Sequence, residues 1–315
     1  MIMVLWLLTV LIFSLIHLAP GSPVYMLLGD LPSPEAIAEL TEKLGLNRPF
    51  YVQYFRFIGQ LLRGDLGTSI VFDEQVSKLV VQRLPATLEL TLSATAVSVL
   101  IALPIGVLVA LKRLTALDHL GRVVAVLGVS VPNFWLGYML ILLLAVKLGW
   151  FATSGRGVPL TTALAAMTMG HPEELWASLR HLVLPTLTLG TWGAAFLSRL
   201  TWNSILEELD KEYVRTARAK GVRLTSVVLR HVLRNAMLPV ITALGMQVGV
   251  LLGGAVITEA VFAWPGVGQL VYFAVSSRDY PLVQGSILVV GSFAVVLVLL
   301  VDLSYALIDP RIRYT

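Results

Sequence analysis

Residues 212–235, EYVRTARAKGVRLTSVVLRHVLRN, concentrate cationic side chains in a chain of which only 13% is charged. The basic residues are Arg215, Arg218, Lys220, Arg223, Arg230 and Arg234. Guanidinium and ammonium groups bind carboxylates and phosphates strongly. The segment therefore indicates a binding element, and its partner is either the anionic surface of a membrane or a groove on a soluble protein.

The first half of this segment is predicted to be an amphipathic helix. Apolar residues recur on one face at helical spacing: Leu206, Leu209, Tyr213 and Ala217. Gly221 is expected to end this helix.

A second amphipathic helix is predicted from about Thr225, with Val228 and Val232 on its apolar side. Thr216 and Ala219 lie near the intervening glycine, where a helix bound to lipid would profit from Leu, Phe or Trp. These small residues favour close contact with a protein, although charge alone does not decide between the two partners.

The chain carries no recognised arrangement for covalent or nucleotide chemistry. It contains no cysteine, which excludes thiolate catalysis and cysteine-ligated metal. It lacks a G-x-x-x-x-G-K-[ST] loop, and its five histidines include no H-E-x-x-H pair. We therefore expect no enzyme activity, no metal site and no intramembrane hydrolase.

Long apolar runs place the chain in the membrane class. Hydrophobic residues make up 57% of it, and the mean hydropathy is +0.83. Six runs without a charged residue are about long enough to cross a ~30 Å hydrocarbon core as helices: residues 2–19, 90–111, 123–146, 182–198, 236–258 and 280–301. Because backbone polar groups in lipid need internal partners, the sequence predicts an all-α polytopic membrane protein with six transmembrane helices.

The basic residues between these runs predict the orientation. They follow the second, fourth and sixth runs, which places those segments and both termini in the cytoplasm. The predicted regions are a first span in residues 1–19, an external helical segment in 20–85, a five-helix core in 86–308 and a cytoplasmic tail in 309–315. Cytoplasmic helices are expected within the core at about residues 204–234.

Two external helices are predicted after the first span. Ser33, Pro34 and Gly45 suit the N-cap, first position and C-terminal cap of one helix. A second helix has its apolar residues at helical spacing and ends at Gly64: Tyr54, Phe57, Ile58 and Leu61. We interpret it as packed on the outer membrane face, with direct contact to substrate as the alternative.

Prolines and glycines mark special positions within the spans. Pro104 and Pro132 are expected to kink their helices. Gly245, Gly249 and Gly253 recur at every fourth residue, which predicts close helix packing. The packed neighbour belongs either to this chain or to another subunit.

The basic segment resembles the cytoplasmic loop of the B-type permease subunits of bacterial dipeptide/oligopeptide ATP-binding cassette (ABC) importers. The resemblance covers nearly the whole chain through HLAPGSP, LGLNRPFYVQY, GDLGTSI, RLPATLELTL, SVPNFWLG, VKLGW, RHLVLPTLTLG, VFAWPGVGQLV, RDYPLVQG and DPRIRY. In the wider superfamily this loop carries a Glu-Ala-Ala motif and an Ile-x-Leu-Pro ending. Arg215, Thr216 and Ala217 stand at the first motif here and residues 231–234 at the second, so the Glu and the Pro are absent.

The resemblance implies a type I ABC importer permease fold in the bacterial inner membrane, forming half of a translocation pathway. The implied partners are a homologous second permease, two ATPase subunits or domains, an external solute-binding protein and lipid, but no nucleic acid. This chain would bind no cofactor, because ATP and Mg would be held by the ATPases. The implied ATPase-coupling residues are Glu212, Tyr213, Arg215, Thr216, Ala217, Arg218, Ala219, Lys220 and Gly221.

Dipeptides or oligopeptides are the implied substrates, and related importers for nickel, glutathione or other small solutes are the alternative. A self-sufficient secondary transporter is a hypothesis from another class. The span centres lack the coupling charges and the sequence lacks the inverted repeats that such a transporter would usually show.

Overall fold

The computed structural model describes residues 2–18, Val24, Leu28 and 33–308, and these residues form helices and loops without a strand. The predicted tail in 309–315 and most of residues 19–32 lie outside the described part. The helices are α1 Ile2–Leu18, α2 Pro34–Leu44, α3 Phe50–Leu62, α4 Val76–Leu111, α5 Ala116–Ser130, α6 Asn133–Leu140 with a π-helical continuation Ile141–Lys147, α7 Leu160–Thr168, α8 Pro172–Leu209, α9 Glu212–Ala219, α10 Leu224–Val227 with a π-helical continuation Val228–Val232, α11 Leu233–Val261, α12 Val267–Ser276 and α13 Tyr280–Ile308. The all-α prediction is confirmed.

The chain divides into two compact units, one of residues 1–87 and 265–296 and the other of residues 88–264 and 297–315. The first unit has a core that includes Val76, Val80, Leu270 and Leu282. The two units are defined by which residues contact each other, whereas the regions predicted from the sequence are defined by membrane topology. Those predicted regions stay a prediction.

A buried aspartate organises the loops of the first unit. Ser69 donates its hydroxyl proton to Asp279 over 2.5 Å, and the backbone N–H of Val71 donates to the same carboxylate oxygen over 3.1 Å. The N–H of Leu282 donates to the other oxygen over 3.1 Å. Because a buried polar group is costly unless it is hydrogen-bonded, this cluster fixes the start of α13 beside the loop that precedes α4.

Both helices predicted after the first span are confirmed. The Ser33 hydroxyl accepts a hydrogen bond from the N–H of Ala36, Pro34 starts α2, and Gly45 ends it with a left-handed φ of 70°. In α3, Tyr54, Phe57 and their neighbours at helical spacing are half-buried.

Helix α8 is the central helix of the second unit, and it packs against α5, α6, α7 and α11. Ser98 of α4 donates to the Gly190 carbonyl of α8 over 2.8 Å, and the Gln247 amide of α11 lies 3.4 Å from the Ser98 hydroxyl. Polar contacts of this kind between membrane helices stabilise a specific arrangement.

The loop between the third and fourth predicted spans is attached to this helix group. The Glu89 carboxylate accepts hydrogen bonds from Arg156 and from the N–H of Leu160, the latter over 3.1 Å. The N–H of Gly155 donates to the Phe262 carbonyl over 2.8 Å. These bonds fix a loop for which the sequence indicated no role.

Helices occupy the described part of each of the six predicted spans, but the count of six is not confirmed. Among the described residues, three helices can cross a membrane by length and composition, namely Val76–Leu111, Thr225–Gly253 and Tyr280–Leu299, with a fourth if the bent pair Ala116–Ser130 and Asn133–Lys147 forms one span. Helix α8 covers the predicted fourth span and is less apolar because protein surrounds it: among the polar residues that it buries are Thr186, Thr188, Ser198 and Thr201. Helix α1 has 17 described residues.

The predicted kink at Pro132 is a break of 98° between α5 and α6. Val131 has an extended backbone, with φ −77° and ψ 123°, because a proline disfavours the helical region for the residue before it. At Pro104 helix α4 continues without interruption.

Candidate coupling site

The basic segment forms α9, a glycine turn and α10, which runs through its π-helical continuation into α11. The second predicted helix is present, but the first is divided, because Leu206 and Leu209 lie in α8 and Tyr213 and Ala217 lie in α9. The second is the first part of the long helix α11 rather than a separate element.

Gly221 ends α9 in a Schellman arrangement. Its φ is 78°, its N–H donates to the Arg218 carbonyl over 2.9 Å, and the N–H of Val222 donates to the Ala217 carbonyl over 3.2 Å. Glycine is favoured at this position because side chains with a Cβ are strained at such a φ. The predicted end of the helix is confirmed.

One face of α9 packs on an apolar cluster of the second unit. Val214 is fully buried and Ala217 is partly buried against this cluster, which includes Trp202, Ile205 and Val228. The cluster joins residues from α4, α5, α8, α10 and α11. A helix of eight residues has little stability in isolation, so this packing holds α9 in place.

The opposite face of α9 is exposed. The exposed members of the predicted coupling set are Glu212, Tyr213, Arg215, Thr216, Arg218, Ala219, Lys220 and Gly221. Glu212 accepts a hydrogen bond from Arg215 over 2.8 Å, with both side chains largely in solvent. An exposed pair of this kind contributes little to stability, so these groups are available to a partner.

A polar cluster that the sequence did not reveal connects α8, α9 and α11. The Glu208 carboxylate at the end of α8 accepts hydrogen bonds from Lys211 and from the Tyr213 hydroxyl, the latter over 2.8 Å. The Asn235 amide of α11 lies 3.5 Å from the Tyr213 oxygen. The side chain of Glu208 is only 12% exposed, so these donors satisfy a carboxylate with little access to water.

These contacts shift the pKa values of the cluster. Burial raises the pKa of Glu208, but the hydrogen bonds from Lys211 and Tyr213 outweigh it, and the net pKa is lowered. The bond to Glu208 raises the pKa of Lys211. Burial and the bond to Glu208 raise the pKa of Tyr213. All three shifts favour an anionic Glu208 beside a cationic Lys211 and a neutral Tyr213.

The turn between α4 and α5 lies against the same apolar cluster. Asp118 accepts two hydrogen bonds from Arg122, of 2.7 and 3.1 Å, and one of 2.9 Å from the N–H of Leu114. The bonds from Arg122, followed by that from Leu114, lower the pKa of Asp118. The Arg122 guanidinium also lies 5.7 Å from the centre of the Trp202 ring, a cation–π distance that fixes this turn to α8.

Within the second unit, close helix contacts are found at glycines outside the predicted stripe. Gly245 is buried and Gly249 is half-buried, whereas Gly253 is exposed. A Cβ on Gly249 would make only an ordinary contact of 3.5 Å with Val298, and one on Gly253 would meet nothing within 4 Å. The packing role of the stripe stays a prediction, and for Gly253 the neighbour would have to be another subunit.

Gly106 and Gly190 are the positions where α4 and α8 approach closely. A Cβ on Gly106 would stand 2.6 Å from Thr201 Cβ, and one on Gly190 would stand 2.9 Å from the Ala94 carbonyl oxygen. Both distances are too short for a side chain without movement of a backbone.

We predict that Gly106→Ala lowers the thermal stability of the purified chain, whereas Gly253→Ala does not. The two changes gain the same helix propensity, but only the first forces α4 and α8 apart, at a cost of about 1–3 kcal/mol. Thermal unfolding in detergent measures the difference, and equal melting temperatures would contradict the packing. If Gly253→Ala is stable but loses activity in the assembled complex, the stripe faces a partner.

Among the described residues, no group of three His, Asp or Glu side chains is placed to hold a metal ion. The site therefore consists of a fixed helix with an exposed cationic and small-residue face.

Comparison with known proteins identifies the family of the chain. Residues 102–314 match the family described as binding-protein-dependent transport system inner membrane component, and residues 1–91 match the N-terminal region of such membrane components. The chain therefore belongs to the family of inner membrane components of binding-protein-dependent transport systems.

Two curated relatives and one solved structure illustrate the match. The chain is 42% identical to the dipeptide transport system permease protein DppB of Alkalihalophilus pseudofirmus, over 97% of this chain and 94% of that protein. It is 41% identical to the glutathione transport system permease protein GsiC of Salmonella paratyphi A, over 97% and 93%. A structure of the MetNI methionine ABC transporter in an inward-facing conformation matches with a TM-score of 0.55 at 20% identity, over 75% of this chain and 97% of the matched chain.

These matches define a multi-pass inner-membrane protein with the fold of an ABC importer permease. The predicted fold class and family are thereby confirmed.

Proposed function

We propose that this chain forms half of the translocation pathway of an ATP-driven importer and couples to an ATPase subunit through α9. The observation that carries the proposal is the two-sided character of α9. Val214 and Ala217 hold one face on the helix cluster, while the basic face is bare. A partner that moves α9 would move α8 and α11 with it.

Energy from ATP would act by stabilising one of two arrangements of the paired permeases. The proposed partners are a homologous second permease, two ATPase subunits or domains and an external solute-binding protein. ATP and Mg would be bound by the ATPases, since this sequence lacks the Walker A loop. This chain would contribute no catalytic residue.

The proposed orientation places α9 and both termini in the cytoplasm. Positive charge supports it, because Lys112 and Arg113 precede α5 and the basic segment follows α8. In this orientation α9 faces the compartment that contains ATP.

Short peptides are the proposed substrate class. The DppB relative is a dipeptide permease and the GsiC relative a glutathione permease, and glutathione is itself a short peptide. Their identities of 42% and 41% to this chain do not separate them. Importers of nickel or other small solutes remain the alternative substrate class, and the external binding protein would select among them.

Affinity purification of the tagged chain from its native membrane in mild detergent tests the assembly. We expect a second permease and Walker-containing ATPases to remain bound, and the ligand of the associated binding protein to identify the substrate. The chain carrying Val214→Asp, which would displace α9 from its apolar support, serves as the comparison and should lose the ATPases. Recovery of the chain alone, active in liposomes without partners, would contradict the proposal and support a secondary transporter.

A further inference from the structure

Helix α3 presents three different faces. The first packs on α1: the Tyr54 hydroxyl and the Thr9 hydroxyl lie 2.9 Å apart, and the Phe13 ring lies 5.4 Å from that of Tyr54 and 5.5 Å from that of Phe57. This face attaches α3 along the side of the first predicted span rather than above its end.

The second face of α3 is apolar and bare. Tyr51 is 63% exposed, Phe55 70% and Leu62 83%. At ~100° per residue these three side chains fall within one narrow sector of the helix. Because they are at the level of a membrane span, exposure of this kind is typical of contact with lipid.

The third face is cationic. Arg56 of α3 and Arg63, which directly follows α3, are seven residues apart and exposed, and neither side chain forms an ion pair or a hydrogen bond within the described part of the chain. Arg48 lies close to Arg56, because both side chains border Gly45. A Cβ added to Gly45 would stand 3.1 Å from the Arg56 guanidinium and 4.0 Å from the Arg48 Cδ. Arg48 and Arg56 therefore lie together beside Gly45, the left-handed C-terminal cap of α2, and neither has a carboxylate partner among the described residues.

We propose that α3 is a binding site for the headgroup of an anionic phospholipid. Arg56 and Arg63 contact the headgroup phosphate, and Tyr51, Phe55 and Leu62 lie among the acyl chains. Long arginine side chains reach from apolar surroundings to the phosphate level. Apolar and basic faces side by side on one helix favour this occupant, whereas the centre of a protein interface is depleted of unpaired charge.

Lipid binding to the full-length chain tests the proposal. Native mass spectrometry after exchange into nanodiscs of equal parts phosphatidylglycerol and phosphatidylcholine should show a retained preference for phosphatidylglycerol. Arg56→Gln with Arg63→Gln should weaken that preference by about fivefold for each arginine. Soluble glycerol phosphate should not compete, because it lacks the acyl chains.

The matched control is Lys112→Gln with Arg113→Gln, which removes the same charge from two exposed positions outside both α3 and the basic segment. An equal loss in both double variants would show general charge attraction and overturn the proposal. Competition by glycerol phosphate would overturn it in favour of a free-anion site.

Depth measurements give an independent result, because the chain contains no native cysteine and accepts single spin labels. A label at Phe55→Cys should be relaxed by oxygen, which concentrates in the acyl region, and a label at Gln60→Cys by a water-soluble nickel chelate. Protection of position 55 from both reagents in the assembled transporter would show that a protein covers this face and would overturn the lipid assignment.

Discussion

Replacing Gly221 by valine is expected to abolish uptake while the protein stays inserted in the membrane. Gly221 has a φ of 78°, and the side-chain position is open, with nothing within 4 Å of a Cβ. The loss therefore comes from backbone strain rather than from a clash. Such a φ costs an ordinary residue about 1–2 kcal/mol, and a β-branched residue is a poorer fit still.

The strain acts on a short helix that cannot tolerate it. Relief of the strain breaks the bonds from Gly221 to Arg218 and from Val222 to Ala217, which end α9. About 1.4 kcal/mol changes an equilibrium tenfold, so most chains would present an incorrectly ended α9 to the ATPase. Uptake of labelled dipeptide by the reconstituted complex measures the effect.

Gly221→Asn is the control for this prediction. Asparagine adopts left-handed backbone angles more readily than other non-glycine residues, so it should restore most of the uptake while also adding a side chain. Loss of uptake in both variants would indicate that the partner needs the open space at Gly221. Normal uptake in the valine variant would contradict the coupling role of this turn.

The sequence predicted those parts of α9 that depend on neighbours along the chain. Gly221 ends α9 because of its own backbone freedom. The helices after the first span were predictable for the same reason: Ser33, Pro34 and Gly45 each act on a local backbone group. Local rules gave the positions of these caps correctly. The predicted apolar face was wrong in extent, because Leu206 and Leu209 lie in α8, which ends at Leu209 before α9 begins at Glu212.

The remainder depends on contacts between distant residues. Glycines at every fourth residue predicted close packing at Gly245, Gly249 and Gly253, and that role stays a prediction. Tight contacts among the described glycines include those of Gly106 with Thr201 and of Gly190 with the Ala94 carbonyl, which local spacing does not indicate. Hydropathy distinguishes residues that face lipid from residues that face water. It therefore identifies α8 poorly as a membrane span, because α8 is packed against protein. Glu208 had no distinguishing signal, since Asn235 lies 27 residues further along the chain.

Replacing Glu208 by alanine is expected to uncouple ATP hydrolysis from uptake. Glu208 is the acceptor that joins Lys211 and Tyr213 to the end of α8, and without it both donors lose their partner. We expect a net loss of about 1 kcal/mol once solvent access to Lys211 is considered. The amides of α9 should then exchange hydrogen about fivefold faster, while ATPase subunits stay bound and uptake per ATP falls.

Tyr213→Phe separates the two arms of this cluster. It keeps the Glu208–Lys211 ion pair and removes the hydroxyl between Glu208 and Asn235, so a smaller rise in exchange and a smaller loss of coupling are expected. Glu74→Gln, which breaks the exposed pair with Lys78, is the matched control and should change neither quantity. Unchanged exchange in α9 after Glu208→Ala would contradict the positioning role.

The pH dependence follows from the direction of the shifts. The pKa of Glu208 is lowered in the folded protein, so its contribution is present above the unfolded pKa and is lost as pH falls through the folded value. The pKa of Lys211 is raised, so its contribution is present below its unfolded pKa and is lost as pH rises through the folded value. Acidification should therefore speed exchange in α9 of the native protein, relative to its intrinsic pH dependence, and Glu208→Gln should remove this component because an amide does not titrate.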